Sequence, residues 1–265
     1  MSIPATPDTI PAGMPLAHHP GTSDRPIALV TGATRGFGRA IAQLLAPDHH
    51  LVIGGRDPEI VQLEAATYPS AEPFVADLND AAATQAAVDR LLEAHDHIDV
   101  LVHNAGIASR GTVETTTRET WSRLMETDVV AVADLTRMLL PTLRRSRATV
   151  IAINSGAGFR AFPSDVAYCA AKFALRAFTD ALREGERGSL RVTSIHPGRM
   201  DTDMQVQLQG EDGRPYDAAE HMRAEDVARA VRLAVDLPWE ATMEVVEVRP
   251  TLPQDSPHNG TDPSA

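Results

Sequence analysis

The chain has 265 residues, of which 43% are hydrophobic and 23% are charged, the ordinary balance of a globular protein with a sizeable core. Only 4% of the residues are aromatic, which favours a core of Ala, Val, Leu and Ile, such as a sheet packed between helices. The net charge of −12 argues against a surface that binds nucleic acid or an anionic membrane. Because Cys169 is the single cysteine, the chain has no internal disulfide, and a metal site built on cysteines is not expected.

The two ends of the chain differ in composition from its middle. Residues 1–25 carry several prolines among small polar residues, and residues 251–265 have the same character, so a disordered leader and a disordered tail are predicted around one folded domain, residues 26–250. His18 and His19 in the leader are not expected to bind a metal. The sequence has no run of about 18 apolar residues and no signal-peptide pattern, so we expect a cytoplasmic protein without a membrane span.

Between these ends, short apolar runs alternate with segments of helical periodicity. The predicted strands are Ile27–Thr31, His50–Gly54, Glu72–Val75, Val100–His103, Thr149–Asn154, Arg191–His196 and Glu244–Val248. The predicted helices are Gly36–Ala46, Glu59–Thr67, Ala81–Ala94, Arg118–Arg144, Ser164–Glu186 and Ala224–Asp236. Repeated β–α units predict a doubly wound parallel β-sheet of about seven strands with helices on both faces. Ligands of such sheets bind at the carboxyl ends of the strands.

The first predicted strand runs into a glycine-rich turn and a helix. Gly32, Gly36 and Gly38 lie in this turn, with the spacing Gly-x-x-x-Gly-x-Gly. A strand, a glycine turn and a helix aim backbone N–H groups and a helix N-terminus at a phosphate group. Similar turns occur in proteins without a ligand, so the later segments have to decide between the two interpretations.

The end of the second predicted strand bears on which dinucleotide is bound. An acidic residue at this position holds the ribose 2′-hydroxyl of NAD, whereas a nearby Arg suits a 2′-phosphate. Here Gly55 occupies the acidic position and Arg56 follows it, while Asp57 is expected to cap the next helix. Together with Arg35 in the glycine turn, Arg56 predicts a preference for NADP(H), with NAD(H) as the alternative.

A Ser, a Tyr and a Lys follow in an order that suggests proton-transfer chemistry. Ser155 follows the fifth predicted strand, thirteen residues before Tyr168, and Lys172 lies four residues after Tyr168 on the same helix face. A Tyr hydroxyl has a reference pKa of about 10, and a nearby ammonium favours its phenolate form. Tyr-x-x-x-Lys alone is common on helices, so its interpretation depends on the other motifs.

The combination of motifs resembles the short-chain dehydrogenase/reductase family from about Ile27 to Arg249. The resemblance implies a single-domain Rossmann-like fold and an NADP(H)-dependent oxidoreductase that interconverts a carbonyl and a secondary alcohol. In this interpretation Tyr168 is the general acid/base, Lys172 tunes it and holds the nicotinamide ribose, and Ser155 anchors the substrate. The implied cofactor-binding residues are Thr31, Gly32, Thr34, Arg35, Gly36, Phe37, Gly38, Arg56, Asp77, Leu78, Asn104, Ala105, Gly106, Tyr168, Lys172, Pro197, Gly198 and Thr202.

The same resemblance implies a small-molecule substrate, no metal, and a homodimer or homotetramer formed through the two long predicted helices. Residues 199–223 are predicted to form a polar loop over the substrate. Candidate substrate contacts in and before this loop are Phe159, Phe162, Met200 and Met204, although the two phenylalanines are equally expected to pack a loop. Asp77 and the Asn104-Ala105-Gly106 motif each have a plain turn as an alternative.

One position departs from the family pattern. Asp128 occupies the place where the family usually has an Asn on the long fifth helix, and this puts the fourth member of the catalytic group in doubt. Two other functions stay open. A non-catalytic NADP-binding sensor would keep the glycine turn and lose Tyr168 or Lys172, whereas an epimerase or dehydratase relative would have a longer C-terminal substrate domain. The sequence does not identify the substrate.

Overall fold

The computed structural model describes residues 25–211, 213 and 215–251, so the predicted leader and tail lie outside the described residues apart from Arg25 and Thr251. Nine strands are present in this part of the chain: β1 Ile27–Val30, β2 His50–Gly55, β3 Ala71–Val75, β4 Val100–His103, β5 Thr149–Ile153, β6 Arg191–Pro197, β7 Met200–Asp201, β8 Met222–Arg223 and β9 Val245–Val248. Seven of them form a parallel sheet in the order β3-β2-β1-β4-β5-β6-β9. This confirms the predicted doubly wound fold.

The sheet is covered by helices on both faces. The α-helices are α1 Gly36–Leu45, α2 Pro58–Ala65, α3 Ala81–Ala94, α4 Arg118–Met125, α5 Ala131–Ser146, α6 Val166–Gly185, α7 Asp203–Glu211 and α8 Ala224–Asp236. Side chains of β1 alternate between two cores, as the twofold period of a strand requires. Ala28 and Val30 pack with α1, α2 and α8, whereas Ile27 and Leu29 pack with α3 and α5.

Two predicted segments differ from the structure. The predicted helix over residues 118–144 is interrupted between α4 and α5 by one π-helical turn, Glu126–Val130. A π turn inserts one extra residue into a helix, and here it allows Asp128 to be buried while α4 and α5 keep their own apolar faces.

No helix in the described part of the chain is both long and apolar enough to cross a membrane.

The predicted polar loop over residues 199–223 is partly regular. It contains α7 and a two-stranded parallel sheet in which Met200 of β7 pairs with Met222 of β8. Both methionines pack against the core beside α8, and this anchors the ends of the segment. The helix α7 was missed because its sequence has almost no amphipathic pattern, and most of its residues are exposed.

Candidate active site

The predicted site residues lie at one edge of the sheet. All strand pairs of the seven-stranded sheet are parallel, so the segments that follow the strands meet at the carboxyl edge. The segments at this edge are the glycine turn after β1, Arg56 after β2, Asp77 after β3, Asn104 after β4, Ser155 after β5 and Gly198 after β6.

The glycine turn has a backbone that side chains would obstruct. Gly32 and Gly36 have φ angles of 62° and 52°, which glycine adopts at little cost. A Cβ atom at Gly38 would lie 2.2 Å from the carbonyl oxygen of Gly32, so only glycine permits this approach of α1 to the turn. Residues 31–38 therefore hold one tight conformation at the N-terminus of α1.

The N-terminus of α1 differs from those of α2 and α3. Asp57 accepts hydrogen bonds from two N–H groups of α2, as predicted, and Asp80 does the same for α3. Arg35 precedes α1 without capping it, and the first turn of α1 has no acidic residue. A Cβ atom at Gly36 would meet only the Cγ2 atom of Thr202, at 3.9 Å. The start of α1 therefore has N–H groups that no N-cap side chain in the described part of the chain satisfies and open space beside Gly36, which together fit a dinucleotide phosphate.

The Asn104-Ala105-Gly106 motif fastens the glycine turn. The Nδ2 atom of Asn104 donates hydrogen bonds to the carbonyl oxygens of Thr31 and Gly32, at 3.0 and 3.1 Å. In return, the Oγ1 atom of Thr31 accepts from the backbone N–H groups of Asn104 and Ala105, both at 3.0 Å. The motif is therefore more than a simple turn, because it holds two neighbouring strand ends together.

The end of β2 has no room for an acidic side chain in its present packing. A Cβ atom at Gly55 would lie 2.6 Å from Cγ2 of Val61 and 3.1 Å from Cγ2 of Thr34. This closeness brings Gly55 against the glycine turn, next to Arg35. The Arg35 side chain is 76% exposed, and its guanidinium lies 3.7 Å from the Asp203 carboxylate at the start of α7. Arg56 is also exposed, so two cations are available near the expected position of a 2′-phosphate.

Three of the predicted cofactor-binding residues have clear local roles. The side chain of Asp77 accepts a hydrogen bond from the N–H of Asn79 at 3.0 Å, which is a turn contact. Phe37 is buried in the core under α1, and Leu78 packs against the core on the other face. The side chains of Phe37 and Leu78 therefore point into the protein interior, so these two residues can contact a ligand only through their backbone atoms.

Tyr168 and Lys172 lie on α6, close to Ser155 at the end of β5. The Nζ atom of Lys172 is 5.6 Å from the centroid of the Tyr168 ring. Burial raises the pKa of Tyr168, the Lys172 ammonium and a hydrogen bond with the Ser155 side chain lower it, and the Asp128 carboxylate raises it again. The net pKa of Tyr168 is above its ordinary value, because burial outweighs the Lys172 field.

Asp128 lies in the π turn and faces Lys172 on α6. Its Oδ2 atom is 3.0 Å from the Lys172 Nζ, and its Oδ1 atom accepts a hydrogen bond from the N–H of Ile107 at 2.9 Å. Asp128 is only 1% exposed and Lys172 only 6%. Burial lowers the pKa of Lys172, but the Asp128 carboxylate and Tyr168 outweigh burial, so the pKa is raised and Lys172 stays an ammonium.

The sequence prediction missed two residues that hold Ser155 in place. The buried Asn154 accepts a hydrogen bond from the Ser155 N–H and donates one to the carbonyl oxygen of Lys172. The Nδ1 atom of the buried His196 lies 2.9 Å from the carbonyl oxygen of Ser155, and its Nε2 atom lies 2.8 Å from the Ser194 hydroxyl. A carbonyl only accepts, so His196 carries its proton on Nδ1. The sequence did carry a signal for both residues, since Asn154 is a polar residue directly after a buried strand and His196 is one near the end of another.

The four predicted substrate residues have different surroundings. The ring of Phe159 packs between His196, at 4.3 Å, and the Arg176 guanidinium, at 4.2 Å. This is the loop-packing alternative for Phe159. Phe162 is 37% exposed and Met204 is 42% exposed. Met200 belongs to β7 and packs against the core.

The segment after β6 has a structural reason for its glycine. A Cβ atom at Gly198 would lie 2.9 Å from Cδ of Pro250, so the C-terminal segment crowds this position. Thr202 lies near Gly36, which places the segment opposite the phosphate end of the glycine turn. The arrangement as a whole is that of a doubly wound α/β protein, with a Ser, Tyr and Lys group and a glycine turn that fits a phosphate at the same edge of its sheet.

Comparisons with known proteins agree with this class. A sequence model described as short chain dehydrogenase matches residues 26–213. The dehydrogenase/reductase SDR family member 7B of Bos taurus is 34% identical over 212 residues, 75% of this chain and 65% of that protein. Sulfoacetaldehyde reductase 2 of Chromohalobacter salexigens is 32% identical over 237 residues, 85% of this chain and 94% of that protein. A solved complex, Pseudomonas aeruginosa RhlG with NADP in the active site, has a TM-score of 0.77 and 29% identity over 88% of this chain and 98% of that one.

The chain therefore belongs to the short-chain dehydrogenase family of oxidoreductases. It spans 65% of the length of the bovine relative, and nearly the whole length of the bacterial reductase.

Proposed function

We propose that the protein is an NADP(H)-dependent oxidoreductase that interconverts a carbonyl compound and a secondary alcohol. The observation that carries this proposal is the position of Tyr168, Lys172 and Ser155 at the carboxyl edge of the sheet, beside a glycine turn that fits a dinucleotide phosphate. When bound, NADP(H) supplies or accepts the hydride. The remaining chemistry is proton transfer and positioning by residues of this chain.

Tyr168 is the proposed proton donor in reduction. Its hydroxyl gives a proton to the substrate oxygen as that oxygen gains negative charge, and the phenolate that remains is stabilised by the Lys172 ammonium. Ser155 holds the same substrate oxygen by a hydrogen bond. In alcohol oxidation the steps reverse, and Tyr168 then has to be deprotonated before it accepts the proton of the alcohol.

The Lys172–Asp128 pair supports the ammonium form of Lys172 in a buried site. A buried ammonium alone would lose stability to desolvation, and its pKa would fall. The carboxylate of Asp128 reverses that effect, at the cost of cancelling part of the positive field that reaches Tyr168. We infer that Asp128 takes the place of the family Asn and keeps Lys172 charged.

The preference for NADP(H) is supported by the cations at the end of β2. Arg56 and Arg35 are both exposed near Gly55, and no acidic side chain occupies that position to repel a 2′-phosphate. The solved relative named above holds NADP. Among the other predicted contacts, the Asn104 motif stiffens the cradle, and Thr202 faces it from the opposite side. NAD(H) remains the weaker alternative cofactor.

Three further proposals concern the substrate, the oligomeric state and the location. The relatives include reductases and dehydrogenases of different small molecules, so the substrate class is proposed only as a carbonyl or alcohol. Phe173 on α6 and Val130 in the π turn are exposed apolar side chains, which supports the proposed homodimer or homotetramer. Cytoplasmic location also remains a proposal.

The proposed function is tested by following NADPH absorbance with a panel of carbonyl compounds, and NADP⁺ reduction with the matching alcohols. Turnover of at least one pair is expected, with loss of turnover in Tyr168→Phe. If the chain binds NADPH tightly and turns over no compound of a broad panel, the non-catalytic sensor becomes the better interpretation. If it consumes a nucleotide sugar without net change of NADPH, the epimerase or dehydratase interpretation replaces this one.

A further inference from the structure

Three potential metal ligands meet at the amino edge of the sheet, opposite the carboxyl edge that carries Tyr168. His50 begins β2, Glu72 lies near the start of the adjacent strand β3, and His95 directly follows α3. One ligand atom from each residue lies within 4.8 Å of the other two. These residues come from three separate elements, so their meeting is a property of the fold and is invisible in the sequence.

The hydrogen bonds of His50 leave one ring nitrogen free to bind a ligand. Its Nδ1 atom is 2.9 Å from the hydroxyl of Ser70, whereas its Nε2 atom is buried and has no hydrogen-bond partner in the described part of the chain. When Nδ1 carries the proton and donates to Ser70, Nε2 presents its lone pair to Glu72 and His95.

The other two ligands are close to the spacing that a tetrahedral metal requires. The Oε1 atom of Glu72 is 2.6 Å from Nε2 of His95 and 3.9 Å from Nε2 of His50. Ligand atoms about 2.0 Å from a tetrahedral Zn²⁺ are roughly 3.3 Å apart, which lies between these two distances. The Glu72 side chain is 31% exposed, so a small shift of its carboxylate and access from solvent are both available.

From this geometry we propose that His50, Glu72 and His95 bind a divalent transition metal ion, with Zn²⁺ as the best fit, and leave a fourth position for water. Two imidazoles and a carboxylate form a ligand set that Zn²⁺ accepts. The site assigns a metal where the sequence predicted none. It would tie β3, an edge strand of the sheet, to β2 and to the end of α3.

Ser70 is the positioning residue of this site. A hydroxyl that bonds the second ring nitrogen of a metal-binding His fixes the ring, and loss of such a contact typically costs about 10- to 100-fold in metal affinity. Ser70→Ala is therefore expected to weaken Zn²⁺ binding within that range. Ser70→Thr keeps a hydroxyl and should restore most of the affinity, which a purely structural role of the serine would not require.

The direct test uses the full chain after removal of metals with a chelator. Calorimetric titration should give one Zn²⁺ per chain, and added Zn²⁺ should raise the melting temperature. Glu72→Gln and His95→Gln should each lower the affinity by more than about 100-fold, beyond the usual loss of an outer contact. His97→Gln is the matched control, because His97 is a nearby histidine that pairs with Asp96 and Asp99.

A second control separates this site from the histidines of the leader. The double variant His18→Gln, His19→Gln should bind Zn²⁺ as the unmodified chain does. The proposal is wrong if the unmodified chain binds no stoichiometric Zn²⁺, if Glu72→Gln and His95→Gln bind like it, or if the leader double variant loses binding.

Co²⁺ provides a test that needs no variant and so does not depend on whether the substituted chains fold. Bound to the unmodified chain with two nitrogen ligands and one carboxylate, Co²⁺ should show the intense visible absorption of a four-coordinate site. The weak spectrum of six-coordinate Co²⁺ would overturn the proposal.

Discussion

The Nζ atom of Lys172 lies 3.0 Å from the Oδ2 atom of Asp128, and both side chains are buried. A carboxylate in this place stabilises the ammonium that the proposed chemistry needs. It also opposes the effect of that ammonium on Tyr168, whose pKa the carboxylate raises. We therefore expect the pair to set the pH range in which Tyr168 accepts a proton.

Replacing Asp128 by Asn should shift the pH dependence of alcohol oxidation to lower pH. Oxidation needs Tyr168 deprotonated, and its rate rises with pH through the apparent pKa of the coupled group. Removing the carboxylate removes a contribution that raises the pKa of Tyr168, so the rise in kcat should occur at lower pH. Activity itself should be retained, because Tyr168 still favours the ammonium form of Lys172 and an amide still accepts from the N–H of Ile107.

Glu126→Gln provides the matched control, since it removes a charge of the same sign from an exposed residue of the same π turn. Its pH profile of kcat should coincide with that of the unmodified enzyme. An unchanged profile in Asp128→Asn would show that Asp128 does not couple to Tyr168. A folded Asp128→Asn variant without activity would show that the carboxylate itself relays protons.

Tyr168→Phe should abolish most of the turnover and leave NADPH binding intact. The variant keeps the ring that packs beside Leu124 and Ala171, so folding should survive. Loss of a general acid typically lowers the rate by about 10²–10⁴-fold. Single-turnover kinetics and NADPH fluorescence measure the two effects. Tyr68→Phe is the control, because it removes a hydroxyl bound to Glu64 and should change kcat little. Retention of more than about a tenth of kcat in Tyr168→Phe would contradict the assignment of Tyr168 as the general acid.

Arg56→Ala should weaken the use of NADPH far more than the use of NADH. A charge-assisted contact to phosphate is worth about 1.5–3 kcal/mol, which corresponds to about tenfold or more in kcat/KM. The measurement is kcat/KM with both cofactors in the variant and in Arg90→Ala, which removes an exposed Arg of α3. Equal efficiency of the unmodified enzyme with NADPH and NADH would exclude the proposed preference.

Gly55→Asp should destabilise the fold and should not by itself create an efficient NADH enzyme. The added Cβ atom would lie 2.6 Å from Cγ2 of Val61, and overpacking of this kind typically costs about 1–3 kcal/mol of unfolding free energy. Adding Val61→Ala removes the obstructing methyl groups and should recover part of the stability. Urea unfolding of the single and double variants measures this. A fully stable Gly55→Asp variant would show that the β2 end relaxes freely.

His196→Phe should lower kcat by about 10- to 100-fold through displacement of Ser155, because small misplacements of reacting groups carry penalties of this size. The variant keeps the ring and loses the hydrogen bond to the Ser155 carbonyl oxygen. His196→Asn places an amide N–H near the position of Nδ1 and should rescue most of kcat. The KM for NADPH should stay nearly constant in both. Failure of His196→Asn to rescue a folded His196→Phe would argue that the histidine acts only through packing.

The sequence predicted the central sheet because most of its strands are short apolar runs bounded by turn residues. For Val100–His103 and for α3 and α8 even the bounds agree with the structure. The π turn was not predictable, since one inserted residue leaves the helical pattern of its neighbours intact. The glycine turn, Ser155, Tyr168 and Lys172 were found because they follow strand ends or share a helix face. Asn154 and His196 stand at strand ends, which is a local signal, but their contacts with Lys172 and Ser155 and the His50–Glu72–His95 group join distant segments, which no local pattern encodes.

The π turn at Glu126–Val130 also sets the rotational phase between α4 and α5. An α-helix turns by about 100° per residue, so deletion of one residue from the turn would rotate α4 by about that angle relative to α5. Leu124 would leave its contact with Ala167 and Ala171 on α6, and Asp128 could not stay opposite Lys172. The position of the charge beside the tyrosine and the docking of α4 on α6 thus depend on the same inserted residue, and deleting it would disturb both.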